Sequence, residues 1–216
     1  PIGTLTFNNL TIASGASVSA DYSYTVAGTL TVSVTATLAP TAGTITLSGT
    51  GTPLSIAGTF TTTGTNTVRY TGSTANVTAR TYENLTLGGT GTYTMPASNI
   101  TLTGSLSITS GATVTKGAGT VIMDGDYGQS ITDNNGTKQD LGNVQISSGA
   151  GDASLGSSIK VTSFTVDLGS TIWFNSSDRT ITLTGNGASV LNVSGTIQYS
   201  GGTMEFASAA TTGTTV

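Results

Sequence analysis

The sequence repeats a five-residue pattern in which a glycine is followed by alternating hydroxyl and apolar side chains. Two clear copies are Gly3-Thr-Leu-Thr-Phe7 and Gly28-Thr-Leu-Thr-Val32, and related copies end at Leu47, Ile108 and Tyr199. Successive side chains of a strand point to opposite faces, so each copy predicts a short strand with one apolar face. One such strand cannot bury its apolar face alone, whereas stacked copies can. The pattern therefore predicts a fold made of repeated short strands.

The alternation continues for longer than one strand can. Nearly every even-numbered residue from Val18 to Leu38 is apolar, and most odd-numbered residues there are Ser, Thr or Asp. Ordinary strands are roughly 3–10 residues long, so this stretch predicts several strands joined by corners. Breaks in the alternation place further corners at Asn8-Asn9, Glu83-Asn84 and Gly142-Asn143. Asparagine suits a tight corner because it tolerates left-handed backbone and bonds neighbouring backbone groups.

Distant blocks of the chain match one another. Phe7-Asn-Asn-Leu-Thr-Ile12 matches Tyr82-Glu-Asn-Leu-Thr-Leu87 at an offset of 75 (82 − 7), and Gly28-Thr-Leu-Thr-Val32 matches Gly104-Ser-Leu-Ser-Ile108 at an offset of 76 (104 − 28). The blocks divide the chain into repeats of roughly 1–75, 76–140 and 141–216, and no segment shows helical periodicity. We predict an all-β fold in which residues 1–216 form one continuous parallel β-helix, or β-solenoid. Its coils are expected to hold about 15–20 residues, with no capping helix.

Composition restricts the function classes. Charged residues make up 7% and hydrophobic residues 36% of the chain, the net charge is −4, and Cys and His are absent. Disulfides and thiolate metal sites are therefore excluded. The six basic residues are scattered, which argues against nucleic acid as a partner. No apolar run reaches membrane-spanning length. Because the sequence begins at Pro1, we expect a processed product or a fragment of a larger polypeptide, and we favour an exported protein located outside the cell or on its surface.

The only acidic concentration consists of four aspartates, Asp124, Asp126, Asp133 and Asp140, and the first two are the metal candidates. Asp124 and Asp126 are two residues apart, which would place them on one face of a strand and allow them to hold Ca²⁺. Neither an EF-hand loop nor a Gly-Gly-x-Gly-x-Asp repeat is present. A solvated loop explains the pair better, so we expect no cofactor, and calcium is the weaker alternative. Catalytic carboxylate pairs need nearby groups that tune their protonation, and we expect no enzyme activity.

Glycan attachment is a further alternative. The chain contains seven Asn-x-Ser/Thr sequons, which begin at Asn9, Asn76, Asn84, Asn99, Asn135, Asn175 and Asn192. Several of these coincide with the corner asparagines, for which a structural role is sufficient.

Two outward residues are candidates for an interface or a ligand. Alternation in Thr171-Ile-Trp-Phe174 predicts that Trp173 points outward, and the equivalent outward residue of the preceding repeat is Ile122. An exposed Trp suits sugar stacking or an interface, although a covering loop is an equal alternative. Thr-x-Thr also recurs at Thr29, Thr44, Thr101 and Thr180. A flat array of such threonines would suit ice binding, but outward threonine is also simply a good strand residue.

The blocks Tyr82–Tyr93 and Asn99–Ala112 resemble the repeats of large bacterial surface proteins of the parallel β-helix, adhesin-like type. The resemblance covers nearly the whole chain and implies extracellular display without catalytic residues. Our expectation is a non-catalytic structural protein that forms part of a surface fibre, filament or adhesin stalk. The alternative is a carbohydrate-binding surface module, whose partner would be a surface polysaccharide. An ice-binding protein is a third, weaker alternative.

Self-association is the expected partner interaction. The end coils of a solenoid expose unpaired backbone groups, and the chain shows no capping pattern at either end. We therefore expect head-to-tail contacts between identical subunits, with residues 211–216 adding a strand to the next subunit.

Overall fold

The chain winds into a parallel β-solenoid. The computed structural model describes residues 5–126, 128–147, 151–176, 178–186, 189–199 and 201–206. Every regular element in this described part is a β-strand, and every strand pair is parallel. The strands stack along the solenoid in about nine turns of about 21 residues. The prediction of an all-β parallel β-helix is thus confirmed.

The first face is one unbroken sheet. Its ten strands are β1 (Leu5–Phe7), β4 (Tyr24–Val26), β7 (Thr44–Leu47), β10 (Thr67–Tyr70), β13 (Asn84–Leu87), β16 (Leu106–Ile108), β19 (Gln129–Asp133), β21 (Asp152–Leu155), β24 (Thr171–Phe174) and β27 (Thr196–Tyr199).

The second face is divided into three sheets of three strands. The first sheet contains β2 (Leu10–Ile12), β5 (Leu30–Val32) and β8 (Leu54–Ile56). The next contains β11 (Thr74–Asn76), β14 (Thr92–Thr94) and β17 (Thr113–Thr115). The last contains β22 (Ile159–Val161), β25 (Thr180–Leu183) and β28 (Thr203–Phe206).

The third face contains two sheets. A sheet of three strands is formed by β3 (Ser17–Val18), β6 (Thr37–Leu38) and β9 (Thr59–Phe60). A sheet of six strands is formed by β12 (Thr81–Tyr82), β15 (Ile100–Leu102), β18 (Thr120–Met123), β20 (Asn143–Ile146), β23 (Ser163–Val166) and β26 (Leu191–Val193).

The alternation of the pentads sets the core. Leu30, Val32, Leu106 and Ile108 are each 0% exposed, as the predicted register requires, and Ser107 between the last two faces outward. Stacked aliphatic and aromatic side chains fill the interior along the described coils, and removal of this apolar area from water stabilises the fold. The predicted phase fails at Tyr22 and Val34, which are 85% and 63% exposed. Both residues lie at corners outside the strands, where the backbone no longer directs alternate side chains to opposite faces.

Asparagine side chains at some corners connect one coil to the next. The Asn9 side-chain Oδ1 accepts a hydrogen bond from the Thr29 amide at 2.8 Å, and Asn84 Oδ1 accepts one from the Ser105 amide at 2.9 Å. A Cβ placed on Gly28 would lie 2.2 Å from Asn9 Oδ1. At Gly28 the pentad therefore begins with glycine because Asn9 of the preceding coil occupies the space beside it.

The coils are longer than expected. Their length varies: Val68 pairs with Leu85 after 17 residues (85 − 68), whereas Leu106 pairs with Ile131 after 25 residues (131 − 106). The mean of about 21 residues replaces the expected 15–20, because several corners are loops of more than two residues. Nine steps of about 4.8 Å make the solenoid roughly 43 Å long.

The internal repeats do not coincide with whole coils. The block Phe7–Ile12 runs from the end of the first-face strand β1 into the second-face strand β2, whereas its match Tyr82–Leu87 runs from the end of the third-face strand β12 into the first-face strand β13. Likewise Leu30 lies on the second face and its match Leu106 on the first. The repeated unit is therefore a strand with its corner, which the coil can place on any face.

Candidate functional site

The four aspartates do not form one cluster. Asp124 and Asp126 follow the end of β18, so they lie in an exposed corner and not on a strand as predicted. Glu83, which the sequence did not single out, lines the same shallow depression of about 400 Å³ together with Thr103. Its carboxylate accepts a hydrogen bond from Thr103 Oγ1 at 2.8 Å.

This acidic depression is open to solvent. A calcium ion takes roughly 6–8 oxygen ligands. Among the described residues, no group of three or more carboxylate side chains is arranged to hold a metal ion. Asp124 and Asp126 therefore stay weak calcium candidates.

Asp133 is buried and organises a turn. It is 0% exposed, and its carboxylate accepts hydrogen bonds from the Asn135 amide at 2.9 Å, Asn135 Nδ2 at 2.8 Å and the Gln139 amide at 2.6 Å. The Asp133 amide donates to Ser157 Oγ at 2.7 Å. Lys138 Nζ donates to the backbone oxygens of Asp133 and Asn135. Asp133 is thus a structural residue of the interior, a role that the sequence analysis did not assign to it.

Asp140 connects four successive coils. Its carboxylate lies 2.7 Å from Lys116 Nζ and accepts further hydrogen bonds from the Gly142 amide, Thr162 and Thr184. Burial by itself raises the pKa of this carboxyl, but the bonds from Lys116 and Gly142 outweigh it, so the pKa is lowered from 3.8. The carboxylate is negatively charged at neutral pH, and its hydrogen bonds link neighbouring coils.

Trp173 points outward, as predicted. Its neighbours Ile172 and Phe174 are 0% and 3% exposed, whereas Trp173 is only partly buried. The strand register places Ser154 and Gln198 on either side of it on the first face.

Ile122 also points outward, but it lies on β18 of the third face. Trp173 and Ile122 therefore do not share one surface. The reason is again that matching blocks occupy different faces.

The Thr-x-Thr motifs are distributed over all three faces. Thr31 lies on the second face, Thr44 and Thr46 on the first, Thr101 on the third and Thr182 on the second. These motifs therefore do not combine into the single flat array that the ice-binding alternative assumed.

The sequon asparagines differ in access. Five of them are exposed: Asn9, Asn76, Asn99, Asn175 and Asn192. Asn84 is partly buried and donates from Nδ2 to the Asn66 backbone oxygen at 3.0 Å. Asn135 is 9% exposed, and its Nδ2 donates to Ala112 O and Asp133 Oδ1. A glycan on Asn135 Nδ2 would require these bonds to break.

Two core tyrosines form a polar contact inside the apolar stack. The hydroxyls of Tyr70 and Tyr82 lie 3.3 Å apart, and Tyr82 donates to the Thr78 backbone oxygen at 2.6 Å. Burial raises the pKa of both phenols, that of Tyr82 to well above its usual value of 10.0. The two hydroxyls form a hydrogen bond with each other inside the core, so this pair has a structural role.

The fold defines the chain as a β-solenoid repeat protein. Comparisons with known protein families, with curated proteins and with solved structures found no match. In the described part of the chain, no helix has the length and apolar character needed to cross a membrane.

Proposed function

We propose that the chain is a non-catalytic structural segment of an extracellular protein, and that it acts as a rigid spacer in a surface fibre or adhesin stalk. The observation that carries the proposal is the first face, where ten parallel strands continue from Leu5–Phe7 to Thr196–Tyr199 without interruption. Hydrogen bonds of this sheet run along the solenoid axis, so bending or stretching the rod must strain a whole ladder.

The outer surface of the rod fits the same role. Small hydroxyl side chains occupy much of the first face, for example Thr25, Thr46, Thr86 and Ser107. These hydroxyl groups are uncharged and well hydrated, which suits a spacer displayed outside the cell. The resemblance to the repeats of bacterial surface proteins supports the same assignment. The expected head-to-tail contacts stay a prediction, because the tail residues 211–216 lie outside the described residues.

Localisation tests the proposal directly. Antibodies raised against the 216-residue chain should bind intact source cells without permeabilisation, and electron microscopy should place the label on fibres or a surface layer. Label found only after permeabilisation would contradict the proposal.

Enzyme activity would contradict it in another way. The pure chain should release no oligosaccharides from pectin or alginate, with or without Ca²⁺. Release that is lost in both Asp124→Asn and Asp126→Asn would reassign the acidic depression as a catalytic site.

Carbohydrate binding is the second candidate function, because Trp173 lies partly exposed between Ser154 and Gln198 on a flat sheet. An indole face with neighbouring hydroxyl and amide groups can stack on a sugar ring. Glycan arrays test this role: selective binding that Trp173→Ala abolishes and Thr86→Ala retains would favour the binding module. Thr86 is a matched control because it faces outward on the same sheet.

A further inference from the structure

An asparagine followed by a glycine lies in the turn that fills the gap in the second face. Asn135 and Gly136 belong to residues 134–142, which stand in place of a strand between β17 and β22. Asn135 is 9% exposed, whereas Gly136 is open to solvent. The turn therefore joins a buried side-chain amide to an exposed glycine.

Three hydrogen bonds hold the Asn135 side chain. Its Oδ1 accepts from the Gly111 amide at 2.8 Å, and its Nδ2 donates to the Ala112 backbone oxygen at 3.1 Å and to Asp133 Oδ1 at 2.8 Å. Each end of the amide faces partners of the opposite kind, so the position requires one acceptor and one donor group. A carboxylate supplies no donor and cannot make the same bonds.

The turn supports one edge of β17. Among the described strands, β17 pairs only with β14. On its other side, the Val114 amide donates to Gln139 Oε1 at 3.1 Å, and Gly111 and Ala112, which Asn135 binds, come directly before the strand. Side chains of the turn thus bind this edge in place of a neighbouring strand.

The same two residues can react with each other when the turn opens. Glycine has no Cβ, so the backbone nitrogen of Gly136 can approach Asn135 Cγ closely. A bond forms between this nitrogen and Cγ, the bond from Cγ to Nδ2 breaks, and ammonia leaves with the Gly136 amide proton. Water then opens the resulting cyclic imide to aspartate or isoaspartate. The reaction consumes only water and involves no oxidation or reduction.

We propose that Asn135 and Gly136 form a self-modification site, which the folded turn protects and whose product the turn cannot hold. A carboxylate at position 135 would face the Ala112 backbone oxygen and the Asp133 carboxylate, to which Nδ2 now donates. Two buried carboxylates at this distance repel each other when both are ionised, and both acceptors lose their donor. The reaction therefore loosens the edge of β17 permanently. This inference goes beyond the spacer function and does not depend on where the chain is displayed.

Peptide mass spectrometry tests the protection. The full chain is incubated in a mildly alkaline buffer, either folded or in urea, and is then unfolded and digested. Trypsin cuts after Lys116 and Lys138 and releases residues 117–138, in which Asn134 and Asn135 are the only asparagines. Conversion of Asn135 should be roughly tenfold or more slower in the folded chain, because only the opened turn reacts. Equal rates in the two buffers would overturn the inference, as would the absence of conversion in urea.

Gly136→Ala is the chemical control. Apart from its chain neighbours, no atom lies within 4 Å of a Cβ built on Gly136, and its φ is not positive, so alanine fits the turn. The added methyl group hinders the approach of the backbone nitrogen to Asn135 Cγ. This variant should keep the thermal stability of the wild type and convert more slowly in urea. Conversion at the wild-type rate would contradict the proposed reaction.

A pair of variants tests the effect of the product. Asn135→Asp places a carboxylate where the reaction leaves one, and it should lower the thermal midpoint by roughly 5 °C or more and quicken hydrogen exchange at residues 111–115. Asn134→Asp adds the same charge at the exposed neighbouring residue and should change neither quantity. Equal stability of the two variants would overturn the inference, because the turn would then hold the product as well as it holds the amide.

Discussion

The first and second faces of the solenoid have the same kind of residues but differ in continuity. Ten strands form one sheet on the first face, whereas nine strands form three separate sheets on the second. The breaks lie where the backbone pairing shrinks to isolated bridges, Gly51 with Ala75 and Asp140 with Lys160. A solenoid therefore tolerates interruption of one ladder as long as another ladder continues.

The second break shows how polar side chains replace a strand. Between β19 and β20 the chain forms no strand on the second face, although the structure describes all of residues 134–142. Asp133 holds the turn from inside, and Asp140 with Lys116 bridges the gap from outside. Hydrogen bonds to carboxylates thus take the place of ladder bonds, and the two kinds of support can be removed separately.

The largest effect is expected on the continuous face. Leu106 is 0% exposed in β16, so Leu106→Asp buries a carboxylate without a partner and costs several kcal/mol. We expect this variant to fail to fold, as judged by circular dichroism and thermal melting. Ser107→Asp, one residue further on the outward side, should change the free energy of unfolding by less than about 1 kcal/mol. Equal tolerance at the two positions would show that the register is wrong.

An intermediate loss of stability is expected at Asp133, the buried aspartate beside the gap in the second face. Asp133→Ala leaves the amides of Asn135 and Gln139 and the Asn135 side chain without their acceptor. The cost should be about 2–4 kcal/mol in the free energy of unfolding, measured by urea denaturation. Hydrogen exchange should quicken mainly at residues 134–141. Asp152→Ala, an exposed aspartate on the first face, is the control, and a loss as large as that of Asp133→Ala would refute the structural role.

The smallest effect is expected at Asp140, and it depends on pH. The folded pKa of Asp140 lies below 3.8, so its ionised carboxylate stabilises the fold above about pH 4, and this contribution is lost as the pH falls through the folded pKa. The pair with Lys116 is partly exposed, and its contribution is expected to stay below about 1 kcal/mol. Asp140→Asn and Lys116→Met should each reduce the difference in stability between pH 7 and pH 3. Wild-type pH dependence in both variants would contradict this.

The local features could be predicted because they depend on near neighbours in the chain. Alternation of hydroxyl and apolar residues assigned Leu106 to the interior and Trp173 to the surface. Asn9 and Asn84 marked corners correctly, because the backbone at a corner needs a residue that bonds adjacent coils. The corner residues Tyr22 and Val34 were assigned wrongly, since outside a strand the pleat no longer directs the side chain.

The candidate sites were harder to predict than the strands. Asp124, Asp126, Asp133 and Asp140 are near in sequence, yet two are exposed, one is buried and one is paired with Lys116. Glu83 joins Asp124 only because their coils are adjacent in the stack.

By itself, the sequence determined the strands, their inward and outward sides and the type of fold, because steric alternation and side-chain hydrophobicity act over a few residues. Only the tertiary structure decided which face each repeat occupies. Along the first face, paired residues of successive coils are 17 to 25 positions apart, and these differences accumulate, so blocks that match in sequence separate in space. Trp173 and Ile122 were matched in sequence but lie on different faces for this reason. Stacking likewise brings Ser157 to the Asp133 amide and Lys116 to the Asp140 carboxylate, in each case from more than 20 positions away.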